Sequence, residues 1–86
     1  MVKIHTDSDI QKQFNELCKL IDSVNWRKTP YRGTMEKIAQ ANKVTVQAIY
    51  NAAKRDRNVR VMTQLANEID TIHTALREAA NVYAAV

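Results

Sequence analysis

From Met62 to the last residue the apolar side chains recur in alternating steps of three and four: Met62, Leu65, Ile69, Ile72, Leu76, Ala79, Tyr83 and Val86. Steps of three and four return to one side of an α-helix at every turn, whereas along a strand they fall on both faces, so this stretch reads as helix and not as sheet. The seam is heptad-like, with Met62, Ile69, Leu76 and Tyr83 at one core position and Leu65, Ile72, Ala79 and Val86 at the other. Its flanks are Ala66, His73, Ala75, Ala80 and Val82 where a two-stranded zipper carries Lys and Glu, so the apolar face is wide and suits a bundle. A helix of about 25 residues is ~37 Å long, more than the rest of so small a domain covers. Leu65, Ile69, Ile72, Leu76 and Tyr83 are therefore expected to meet a second copy, giving a homodimer, with a tetramer as the larger alternative.

The remainder of the chain also reads as helix. One glycine and one proline in 86 residues leave few turn formers for hairpins, so the fold class expected is all-α. A chain of this length makes one domain, 1–86, that buries only about 60–65% of its unfolded surface, which again favours association. Residues 1–6 are expected to form a flexible tail, with N-cap candidates in Thr6-Asp7-Ser8-Asp9. Ile10, Phe14, Leu17, Ile21 and Val24 then form one amphipathic stripe of about four turns. A basic, aromatic connector, Asn25 to Gly33, breaks it: Pro30 disfavours helix at Thr29, and Gly33 permits a positive φ. Trp26 reads better as a core plug closing the first helix than as a base-stacking residue. Thr34 is expected to cap a short helix ending near Asn42 or Lys43, and Thr45 to cap another running to about Arg55. The last helix is expected over 59–86.

Charge separates the chain into three parts. Residues 25–60 carry Arg27, Lys28, Arg32, Lys37, Lys43, Lys54, Arg55, Arg57 and Arg60 against Glu36 and Asp56, a net of +7, while both ends are slightly acidic. A basic centre between acidic ends is the pattern of a chain that holds a polyanion with one part and packs on itself with the others. A solvated basic surface without a partner is the plainer reading of the same pattern.

Within that centre Ala39, Val44 and Ile49 stand five residues apart. Two short helices crossing at a steep angle need a small residue where they touch, an apolar one to seal the corner and a branched one pointing back to the core. Ala39, Val44 and Ile49 supply these in order, and Ala52 and Ala53 let the second helix sit low. Here the sequence resembles the helix-turn-helix regulators of phage and bacteria, the lambda repressor and Cro class and the lactose-repressor headpiece. The resemblance covers residues 34–55 closely and 33–70 loosely. It departs from the pattern in the turn, where Lys43 stands for the expected glycine and Asn42 for an apolar residue; Asn42, tolerant of left-handed backbone, is expected to relieve the turn.

The resemblance implies that the second short helix enters the major groove of double-stranded DNA. Thr45, Val46, Gln47, Tyr50 and Asn51 would then face base edges; Gln47 and Asn51 suit paired hydrogen bonds to adenine, Val46 a thymine methyl. Both amides read equally well as plain surface residues of a short helix. Thr34, Lys43, Lys54, Arg55 and Arg57 are expected on phosphates. Arg27, Lys28 and Arg32, with Tyr31, form either a second phosphate clamp, a minor-groove arm or a solvated loop.

Other chemistry finds little support. His5 and His73 lack partners at metal-ligand spacing, and Cys18 lacks a neighbouring base or second thiol. The single glycine precludes a phosphate-cradling loop. No run approaches the ~18 apolar residues of a membrane span. The expectation is a cytoplasmic, nucleoid-associated, non-enzymatic DNA-binding regulator that needs no cofactor and no small-molecule substrate. A helical protein-interaction module (adaptor or antirepressor) and an accessory factor of replication, partition or recombination are the alternatives.

Overall fold

Four helices make up the described residues: α1 (Asp7–Ser23), α2 (Thr34–Asn42), α3 (Val46–Lys54) and α4 (Val59–Ala84). The structure is a computed structural model that describes residues 7–84, with side chains described from Asp9 to Val82. The tail expected at 1–6, the N-cap candidate Thr6, the Tyr83 side chain and residues 85–86 of the expected last helix lie outside the described residues. Among the described residues every regular element is helical, so the fold is all-α, and no helix is long and apolar enough to cross a membrane.

Each helix end has a local cause. Ser23 Oγ donates to the Leu20 carbonyl, and the Trp26 indole N–H donates to the Ile21 carbonyl at 3.1 Å. These are two of the carbonyls that a helix C-terminus leaves without partners. Trp26 also packs on the core, so it closes α1 with ring and N–H together. At α2 the N-cap is Gly33, with φ 88°, and not Thr34. Thr34 is the first helical residue and is buried; only glycine takes that backbone angle without cost.

The turn after α2 is a Schellman closure. Lys43 is left-handed (φ 57°), its N–H donates to the Gln40 carbonyl, and the Val44 N–H donates to the Ala39 carbonyl at 3.0 Å. Lys43 thus takes the conformation expected of Asn42. Asn42 stays helical, and its amide donates to the Ile38 carbonyl and to Gln64 Oε1 of α4. Val44 seals the corner with its backbone N–H; its side chain is 46% exposed. Thr45 caps α3 as expected, accepting from the Ala48 N–H at 3.1 Å. Arg57 (φ 51°) turns the chain after α3, and Asn58 caps α4 by accepting from the Val61 N–H.

The core joins all four helices: Ile21 of α1, Met35, Ile38 and Ala39 of α2, Ile49 and Ala53 of α3, and Met62 and Leu65 of α4. Phe14, Leu17 and Cys18 pack at its edge, while Ile10, at the start of the α1 stripe, is largely exposed. Leu65 and Ile69 are fully buried within the protomer, which corrects their assignment to a dimer face: the first half of the seam is spent on the domain's own core. Ile72 is half-buried, and beyond it Leu76 is 52% exposed. The radius of gyration, 15.5 Å, exceeds the ~12 Å of a compact chain of this length because α4 overhangs the core.

A left-handed lysine costs roughly 1 kcal/mol that glycine does not. Lys43→Gly is expected to raise stability by about 0.5–1 kcal/mol in urea titrations, and the β-branched Lys43→Ile to lower it by more than 1 kcal/mol.

Candidate nucleic-acid interface

Burying Ile49 and Ala53 leaves the opposite stripe of α3 uncovered. Val46, Gln47 and Tyr50 are exposed, and Asn51 and Lys54 are half-buried at its edge. Gln47 Nε2 donates to Asn51 Oδ1 at 3.1 Å, one turn on. The bond orients both amides and leaves the Gln47 carbonyl oxygen as an acceptor and the Asn51 N–H₂ group as a donor for other partners. Thr45, exposed at the helix start, has its hydroxyl oxygen engaged by the cap.

Beside this stripe runs an open groove of about 980 Å³. One wall is the end of α1 and the connector, with Asp22, Trp26, Arg27 and Arg32; the other is α3, with Val46, Gln47, Tyr50 and Lys54. Met35 and Glu36 of the first turn of α2 line it too. The connector, whose role the sequence left open, thus stands across a groove from the α3 stripe. It is held there by Trp26 and by Tyr31, whose hydroxyl is 2.8 Å from His73 Nε2 with the rings edge-to-face.

The basic residues fall into two sets. Arg27, Lys28, Arg32, Lys43, Arg55 and Arg60 are exposed and have no acidic partner among the described residues. Lys37 instead pairs with Glu68 of α4 at 2.8 Å, and Lys54 and Arg57 converge on Asp22. Arg57 binds that carboxylate with both terminal nitrogens, at 3.1 and 2.8 Å, and Lys54 adds a contact at 3.1 Å. Of the residues expected on phosphates, Thr34 is a correction: at 4% exposure it is buried at the start of α2 and out of reach of a strand. Lys54 and Arg57 are engaged within the protein, which nothing local in the sequence signals because Asp22 lies more than thirty residues away.

Hydrogen bonds from Arg57, then from Lys54, hold the Asp22 carboxyl below its ordinary value, and the bond to Asp22 raises Arg57 in turn. A depressed carboxylate contributes stability that is present above its unfolded pKa and lost as pH falls through the folded one. The Asp22 bridge is therefore expected to stabilise the fold at neutral pH and to be lost as pH falls from the ordinary carboxylate range through the depressed Asp22 value. Thermal melts of Asp22→Asn should lie below wild type at pH 7, and the two curves should converge in acid as Asp22 becomes protonated in the folded protein. A gap unchanged with pH would mean that packing, not charge, is lost.

No known protein family, curated protein or solved structure matches this chain, so its function is read from this face alone.

Proposed function

We propose that the chain is a sequence-specific double-stranded DNA-binding protein in which α2 and α3 form a helix-turn-helix and α3 reads the major groove. One observation carries the reading: the uncovered α3 stripe, with its Gln47–Asn51 amide pair, lies beside a groove whose far wall bears Arg27 and Arg32 without acidic partners. Side-chain amides in tandem suit adenine edges, Val46 suits a thymine methyl, and cations flanking the helix suit the phosphates on either side. Lys28, Lys43 and Arg55 are further exposed cations without an acidic partner among the described residues. A repressor, an activator or an accessory factor of replication, partition or recombination uses the same contacts, and a transcriptional regulator in the cytoplasm is the reading preferred.

Binding to duplex DNA is expected to weaken steeply with salt, because each neutralised phosphate releases counterions. Asn51→Ala should relax sequence preference at a cost of about 1–3 kcal/mol on the preferred site alone, whereas Arg27→Ala and Arg32→Ala should weaken all duplexes alike. Affinity indifferent to salt would favour a second reading, in which the exposed Val46 and Tyr50 dock a partner protein.

The reading includes a homodimer formed through the overhang of α4. Ile72, Leu76 and Val82 leave apolar surface on a helix that outruns its own core. Two-fold pairing would present two α3 helices to successive turns of DNA, ~34–36 Å apart. Sedimentation equilibrium should give twice the chain mass for wild type and one chain mass for Leu76→Glu, with helical circular dichroism unchanged. A monomeric wild type would refute the dimer.

A further inference from the structure

We propose that Lys54 and Arg57 form a DNA-phosphate site that Asp22 occupies in the free protein. The inference rests on the DNA-binding reading and deepens it. Two cations from the end of α3 and the turn after it converge on one carboxylate, Arg57 through a two-nitrogen fork and Lys54 through a point charge. A phosphate oxyanion is held by the same donor set. Nothing commits the site permanently to the carboxylate. The Asp22 side chain is 47% exposed, and it stands in the last turn of α1, where the helix dipole disfavours negative charge. A half-exposed pair of this kind is weakly held and can exchange one anion for another.

The position agrees with the path of a strand. Lys54 follows Gln47 and Tyr50 at three- and four-residue steps along one stripe of α3, and it lines the groove whose other wall carries Asp22, Arg27 and Arg32. A strand whose base edges meet Gln47 carries its backbone past Lys54. There it meets Asp22 as a competitor for the same two cations. Binding replaces the carboxylate with phosphate, so the chain gains less from these cations than from its free ones.

The test is a salt series of anisotropy titrations with a random-sequence duplex, using wild type, Asp22→Asn, Lys54→Ala and the double variant. Asp22→Asn should bind about tenfold tighter at low salt, with a plot of log affinity against log salt close in slope to that of wild type, because the same phosphates are neutralised in both complexes. Lys54→Ala should cost several-fold more affinity in the Asp22→Asn background than in wild type, a coupling that a purely structural bridge does not give. If circular dichroism shows Asp22→Asn unfolded, Lys54→Ala alone decides: a shallower salt slope supports the site, and an unchanged slope overturns it. A folded Asp22→Asn that binds no tighter than wild type also overturns it, while wild-type binding and the Asn51→Ala effect leave the DNA-binding reading standing. Failure of every form to bind duplex overturns both.

Discussion

Ala39 and Ala53 are small enough for α2 and α3 to close on each other around Ile49, and the left-handed Lys43 lets the chain reverse between them in three residues. Everything on the outer surface follows from that contact. With Ile49 and Ala53 turned inward, helical periodicity sends Val46, Gln47 and Tyr50 outward. The Schellman bonds at Lys43 and Val44 and the Thr45 cap satisfy the backbone groups that a corner this tight exposes, so its geometry does not depend on the half-exposed Val44 side chain.

The corner is then anchored to the other two helices by polar ties that cross long stretches of sequence. Asn42 to Gln64 and Lys37 to Glu68 hold α2 against α4, and Asp22 holds the far end of α3 against α1. Met62, Leu65 and Ile69 supply the apolar side of the same arrangement. The buried half of α4 is thus a support for the α2–α3 corner, and beyond Ile72 the helix leaves Leu76 and Val82 exposed.

Much of this was legible in the sequence, where helical periodicity is strong. The boundaries of α3, its Thr45 cap, the Gly33 backbone angle and the role of Trp26 all follow from local chemistry that a few residues specify. What escaped was whatever depends on distant residues. The α4 seam is unbroken, so its pattern cannot say where the domain's own core ends; Leu65 and Ile69 look like Leu76 until three other helices are in place. Lys54 and Arg57 look like free cations until Asp22 arrives from α1. Thr34 has the composition of a cap, but the glycine before it takes the cap position at lower backbone cost. Asn58 was the readable signal overlooked, an N-cap residue standing directly before the last helix.

Net charge alone would overstate the positive face, because three of its nine cations are paired within the fold, on two carboxylates. What matters is that the other six cations are exposed, and that Arg27 and Arg32 among them line the groove beside an α3 whose two amides are already oriented. The most direct test is a duplex-DNA titration of the isotope-labelled protein followed by NMR, reading backbone and side-chain amides together. Shifts are expected to concentrate on the side-chain amides of Gln47 and Asn51 and on the backbone of 25–33 and 45–51, with the overhang of α4 undisturbed. Shifts centred on residues 72–82, with α3 silent, would contradict the reading of α3 as the DNA-binding helix.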